Sequence, residues 1–207
     1  MADARGTGRF ITLEGMDGAG KSTHLAAIAT ALRARGREVL VTREPGGTPL
    51  AEKLRELVLA EPMDALAETL IMFAARADHV ARRIRPALAQ GAWVLCDRFT
   101  DSTIAYQGGG KGVSGDLIRT LAAQAHPGLA PDRTLLFDCS YEVSRARLKE
   151  AGRVPDRFEN ESRAFFDRVR AAYQALAAAE PGRIRLIDGA QPADKVPPQV
   201  EAALEGL

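Results

Sequence analysis

Short apolar runs alternate with longer helical stretches along nearly the whole chain. The apolar runs fall at residues 9–14, 38–42, 92–97, 134–139 and 184–187, each of a length that suits a buried strand. Helices are expected at 21–35, 48–60, 64–90, 101–106, 115–126, 141–150, 160–179 and 193–205. In the first of these, Leu25, Ile28, Ala29 and Leu32 form an apolar face. Buried strands separated by helices predict an α/β fold in three layers, a five-stranded parallel sheet flanked by helices. Glycines mark the joints at Gly36, Gly46-Gly47, Gly91, Gly108 to Gly110 and Gly152. With no repeat and no linker, residues 9–207 are expected to form a single domain after a flexible start at residues 1–8. In such sheets ligands collect beyond the carboxyl ends of the strands, so the chemistry is sought there.

The first strand candidate runs into Gly15-Met16-Asp17-Gly18-Ala19-Gly20-Lys21-Ser22, which fits G-x-x-x-x-G-K-[S/T] between a strand and a helix. That is the arrangement of a phosphate-binding loop. Glycines let backbone N–H groups close around phosphate oxygens, and the helix N-terminus adds partial positive charge. Lys21 would reach the β- and γ-phosphates and the Ser22 hydroxyl would ligate Mg²⁺. The fold expectation sharpens to a P-loop NTPase-type fold binding a nucleoside triphosphate.

Composition narrows the partners. The chain has 207 residues, 46% hydrophobic and 27% charged, and a net charge of +1. That gives no bulk electrostatic case for a nucleic-acid or membrane partner. Of 28 basic residues only five are lysines. Coding bias explains that, or some arginines grip phosphates through their planar fork. Cys96 and Cys139, both in apolar runs, read as buried reduced thiols in a cytoplasmic protein. No apolar run is long enough to span a membrane.

Two strand candidates end in an aspartate, at Asp97 and Asp138. Asp97, followed at once by Arg98, is preferred for the Mg²⁺ and phosphate site. Asp138 is read as a helix N-cap or a surface carboxylate. Arg43, in Arg43-Glu44-Pro45-Gly46-Gly47-Thr48, reads equally as a phosphate ligand or as half of a solvated salt bridge. Phe73, Arg76 and Val80 share one helix face, which suits a flat base with its phosphate or an ordinary core phenylalanine. The polar run Asp101 to Gln107 leads into Gly108 to Gly110, which reads as a recognition turn or a flexible connector. Residues 149–157 are short, basic and broken by Gly and Pro, like a mobile segment that closes over triphosphates, or an ordinary loop.

Together these blocks resemble the thymidylate kinase family. They are EGMDGAGKST, TREPGGTPLAEKLR, FAARADHV with DRFTDSTIAYQGGG, and DRFENES. The resemblance implies ATP-dependent phosphorylation of dTMP to dTDP, with Mg²⁺, in a homodimer. It implies donor contacts from Gly15 to Thr23 and from Arg147, with Gln191 in a turn similar to the one that contacts the adenine. It implies that Asp17 meets the sugar 3′-hydroxyl and that Phe73 stacks on thymine. Arg76, Thr103 and Gln107 would read the base, and Tyr106 would disfavour a ribose. Arg43 and Arg98 would hold the dTMP phosphate. Asp97, Ser22 and Glu159 would serve the metal site. The loop holds no arginine, so the catalytic arginine is expected in a lid at about 147–158, with Arg153 preferred over Arg147 or Arg157. Phe99 and Phe158 stand where relatives carry a hydroxylated or imidazole side chain. The attacking phosphate is mostly dianionic at neutral pH and needs no general base. Lys21, Asp97, Arg98 and Arg153 are therefore expected to work by charge and position. Another nucleotide or small-molecule kinase and an ATP-dependent regulatory module are the alternative readings.

Overall fold

Five parallel strands run through the centre of the computed structural model: β1 (Phe10–Glu14), β2 (Val39–Arg43), β3 (Trp93–Asp97), β4 (Arg133–Asp138) and β5 (Ile184–Asp188), in the order β2-β3-β1-β4-β5. The structure describes residues 8–152 and 156–207. The start expected to be flexible, up to residue 7, and Arg153 with its two successors lie outside the described residues.

Alternation along the strands feeds two cores. Ile11, Leu13, Leu95, Leu135 and Phe137 face one layer of helices. Phe10, Val94, Cys96 and Phe99 face the other, together with Val80 and Ile84. The sheet is thus covered on both sides, and the expected three-layer fold is observed. β1 and β3 are neighbours, but the chain leaves β1 for β2 on one side and leaves β3 for β4 on the other. A crevice opens where such paths diverge. At its mouth, Asp97 lies level with Leu13 of β1 and Arg43 of β2.

The nine α-helices among the described residues are α1 (Lys21–Ala34), α2 (Pro49–Ala60), α3 (Ala65–His79), α4 (Arg85–Ala89), α5 (Thr100–Thr103), α6 (Gly115–Ala125), α7 (Tyr141–Glu150), α8 (Arg163–Ala179) and α9 (Pro197–Leu204). The long helix expected over 64–90 is helical throughout but changes pitch. A π turn at Val80–Ile84 joins α3 to α4. Pro86 has no N–H to give the carbonyl four residues back, and the ladder widens just ahead of it. A second π segment, Ile104–Gly110, extends α5. The three glycines are therefore part of a helical wall, not a flexible connector, and Arg168 of α8 donates to the Gly110 carbonyl at 2.7 Å. α8 starts three residues later than expected because Ser162 caps it, accepting from the Phe165 N–H at 3.3 Å.

Candidate functional site

The loop between β1 and α1 is shaped by its backbone. Gly15 has φ 131°, and a Cβ there would lie 2.2 Å from the Phe137 carbonyl oxygen, so only glycine fits. Lys21 turns back under the loop and donates to the carbonyls of Gly15 at 2.8 Å and Met16 at 2.9 Å. Burial, then the nearby Arg98, lowers the pKa of its ammonium. Met16 and Ala19 are buried; Ser22 and Thr23 are exposed on the first turn of α1. Ser22 lines one open groove with Arg43, Thr48, Arg83 and Asp97. In that groove Asp97 Oδ1 is buried without a hydrogen-bond partner among the described residues. An orphaned carboxylate oxygen and a serine hydroxyl lining the same groove are a hard-oxygen donor set that fits a divalent cation.

Beside the loop lies a cleft whose walls include Asp17, Arg55, Arg76, Arg98, Thr103, Tyr106 and Gln107. Arg98 ties it to the loop. Its guanidinium donates to Asp17 Oδ1 at 2.8 Å, Ser102 Oγ at 3.1 Å and Tyr106 Oη at 3.3 Å. Burial works against that charge, but Asp17 and its neighbours hold the pKa well above the usual value. Arg98 has φ 71°, and among the described residues it is the one non-glycine with positive φ. Such backbone strain concentrates at functional sites. Beneath it, Glu14 is fully buried and accepts from the Phe99 N–H at 2.7 Å, Ser102 Oγ at 2.5 Å and Tyr173 Oη at 2.8 Å. Burial, with the Asp101 charge adding to it, pushes the Glu14 carboxyl up to about 7.

Arg76 is held from behind. Its Nε donates to Glu44 Oε2 at 2.6 Å, and Nη2 donates to Thr103 Oγ1 at 3.0 Å and the Phe99 carbonyl at 3.2 Å. Glu44 in turn bonds His79 Nδ1 at 2.9 Å, and His79 Nε2 meets Thr42 Oγ1 at 2.7 Å. Burial opposes the Glu44 charge, but Arg76 and His79 hold its pKa below the ordinary range. Arg76 Nη1 is left buried without a partner among the described residues. Gly47 makes this packing possible. Its φ is 85°, and a Cβ there would meet His79 Nε2 at 2.4 Å.

Several expected residues sit elsewhere than the cleft wall. Phe73 is 4% exposed, with the Arg76 guanidinium 4.8 Å from its ring centre, and the aromatic wall is made by Phe99, Tyr106 and Phe158. Arg43 is 55% exposed and paired with Glu52 at 2.9 Å. Glu159 lies in the turn after residue 156, where its Oε2 accepts from the Asp156 N–H at 3.2 Å. Arg147 reaches from α7 to the carbonyl of Gly189 and, at 3.4 Å each, to those of Gly18 and Gln191, so it spans the loop and the turn after β5. Gln191 is tied to Asp188 at 2.9 Å. Arg157 donates to the Val58 carbonyl at 2.9 Å and to Glu68. Asp138 is neither cap nor lone surface carboxylate. Arg170 of α8 grips it at 2.7 and 2.8 Å, and Ser140 caps α7 instead. A cation from a distant helix resolves a strand-end charge that its own sequence neighbours leave unpaired.

Sequence reasoning missed Arg55, Glu14, Glu68 and Tyr173. Arg55 lines the cleft and donates to the Pro45 carbonyl at 3.0 Å. Burial, then the neighbouring Arg43, lowers its pKa. It lies within the TREPGGTPLAEKLR block, so that block carried a signal for it. Glu14 and Glu68 sit on core faces of a strand and a helix, where a lone acid is a signal in itself. Tyr173 gives none.

A family profile described as Thymidylate kinase matches residues 13–200. The chain is 59% identical over 200 residues to the thymidylate kinase of Bordetella petrii, covering 97% of this chain and 96% of that protein. It is 60% identical over 193 residues to that of Methylobacillus flagellatus, covering 93% and 95%. Among solved structures, the thymidylate kinase from Ehrlichia chaffeensis matches with a TM-score of 0.75 at 34% identity, covering 94% of this chain and 96% of that one.

Proposed function

The chain belongs to the thymidylate kinase family and phosphorylates dTMP to dTDP with ATP; from that premise we propose how its residues divide the work, within one kinase unit spanning 9–207. The loop from Gly15 to Thr23 holds the triphosphate, with Lys21 against its terminal phosphates and Arg147 and Gln191 bordering the adenine. The cleft holds dTMP. Arg76 and Gln107 face the base, supported by Thr103 and flanked by Phe73. Asp17 and Tyr106 face the sugar, and Arg98 and Arg55 hold the phosphate from the cleft, with Arg43 approaching it from the neighbouring groove. The observation that carries this division is the Arg98–Asp17 ion pair at 2.8 Å, which places a guanidinium of the cleft against the phosphate loop.

The acceptor phosphate is its own nucleophile, so the protein's task is to bring two polyanions together and spread their charge. Lys21 and Arg98 supply fixed positive charge from two sides. The lid charge is assigned to Arg153 because the phosphate loop holds no arginine; Arg157 is engaged with Val58 and Glu68, and Arg147 with turn carbonyls. Ser22 and Asp97 would hold Mg²⁺, with Glu159 assigned to the same ion from its turn after residue 156, and the ion would supply charge neutralisation on the phosphates. Among the described residues no helix is long and apolar enough to cross a membrane, and buried free Cys96 and Cys139 agree with a cytoplasmic enzyme. Leu50, Leu57, Leu66 and Leu70, 43–50% exposed on the packed pair α2 and α3, support a homodimer through that face.

The test is steady-state kinetics of Arg98→Met and Arg153→Ala. Each lowers kcat by a factor on the order of 10² to 10³ with a smaller change in dTMP affinity. Unchanged turnover in either variant removes that residue from the transfer step.

A further inference from the structure

We propose that Glu68 is a positioning residue that fixes which end of the Gln107 amide faces the base, and so sets the enzyme against cytosine-type monophosphates. The inference rests on the placement of the base beside Arg76 and Gln107, and deepens it.

Glu68 projects from α3 with 0% exposure. Its Oε1 accepts from Gln107 Nε2 at 2.8 Å. Its Oε2 accepts from Lys111 Nζ at 2.8 Å and from the Arg157 guanidinium. A carboxylate facing two cations has only lone pairs to offer. An amide beside it must therefore present its NH₂, because the flipped amide would set carbonyl oxygen against carboxylate. Gln107 itself is 2% exposed and lines the cleft. With its NH₂ tied to Glu68, the Gln107 amide is left to offer its carbonyl oxygen as an acceptor, while Arg76 Nη1 is a buried donor without a partner among the described residues.

Arg76 and Gln107 line the same cleft, and a donor and an acceptor offered there together are the complement of a carbonyl beside a ring N–H, the edge that thymine and uracil share. Cytosine shows the reverse, an exocyclic amine beside a ring-nitrogen acceptor. Both contacts would then set like against like and leave buried groups unpaired, which is how a polar site rejects an analogue of nearly the same shape. A free glutamine could rotate and accommodate cytosine; Glu68 forbids the rotation. The discrimination lies in a residue that never touches the base.

The probe is 5-methyl-dCMP, which keeps the methyl group of dTMP and changes only the edge. The kcat/KM ratio for dTMP over 5-methyl-dCMP is measured for three forms. In Glu68→Gln the neighbour can donate or accept, the Gln107 amide is free to turn, and the ratio falls at least tenfold relative to the parent. In the charge-conserving swap Glu68→Gln/Gln107→Glu, the group facing the base is again an acceptor only, and the ratio recovers to within about threefold. A loosened lid or a weakened core would affect both variants alike, so recovery in the swap separates positioning from general damage. A ratio unmoved in folded Glu68→Gln, or one that the swap fails to restore, overturns the proposal. Should Glu68→Gln not fold, the swap alone decides: a ratio well below the parent's refutes the assignment and a retained one supports it. Gln107→Leu tests the underlying reading on its own. An unchanged KM for dTMP there would remove the base from Gln107 altogether, whatever Glu68 does.

Discussion

The phosphate loop and the acceptor cleft touch through one ion pair, yet they are built in different ways. The loop is made of backbone. Lys21 bonds carbonyls five and six residues away, and Gly15 admits no side chain against β4. The cleft is made of side chains drawn from distant elements. Arg76 to Glu44 spans 32 positions, Arg76 to Thr103 spans 27 and Gln107 to Glu68 spans 39. A site of the first kind needs only a strand, a turn and a helix start. A site of the second kind exists only once the whole sheet has formed and brought buried charges together. The difference teaches that the loop separates chemistry from stability, whereas the cleft couples them.

That contrast can be attacked at four points. Lys21→Met has the largest expected effect, a loss of kcat on the order of 10³, with the melting temperature little changed; a large drop in melting temperature would break the contrast. Arg76→Met strikes the coupled side. It leaves Glu44 buried beside His79 without its guanidinium, raises KM for dTMP by about tenfold or more, and costs about 3 kcal/mol in chemical denaturation. If KM rises and stability stays, the cleft is as modular as the loop. Gly47→Ala touches no substrate, but it forces a Cβ into His79 at a φ of 85°. A cost of about 1–3 kcal/mol, with a raised KM for dTMP and an unchanged KM for ATP, would sharpen the comparison. The smallest effect belongs to Glu14→Gln. Burial raises the Glu14 carboxyl from 4.5 to about 7, so between those values the folded chain keeps a proton that the unfolded chain has released. Its contribution to stability is full below pH 4.5 and is lost as pH rises through 7. The variant should therefore show a flatter melting-temperature profile from pH 5 to 8 than the parent; parallel profiles would discount Glu14.

The same contrast explains what could be read without coordinates. The five strands and the phosphate loop were legible because each is written in consecutive residues, an apolar run or glycines and a lysine at fixed spacing, and the intervening helices made the sheet parallel; the strand order was not legible. The pitch change at Val80–Ile84 was not, since helical period persists through a π turn. Phe73 and Arg76 were legible as neighbours on a helix, and the burial of the ring as one of two readings, but not the buried guanidinium held over that ring. The pairing of Asp138 with Arg170, 32 positions away, leaves no local trace. The buried acids Glu14 and Glu68 stood in view at core positions, yet each finds three partners 39 or more positions away, and only the fold selects them. Residue 153, the preferred lid arginine, rests on the absence of an arginine in the loop.

The backbone of Arg98 carries a wider consequence. At φ 71° the main chain there asks for glycine, the residue found at the other positive-φ positions among those described. The chemistry asks for a guanidinium beside Asp17. No amino acid meets both demands, so the position is locally frustrated, and the surrounding hydroxyls and carboxylates hold a conformation the residue would not choose. A search for more stable variants would be drawn toward glycine at this site and would erase the function as it succeeded. Stability and turnover therefore pull this one residue in opposite directions, which marks position 98 as a place where the fold has been shaped by what it must do rather than by what it most easily forms.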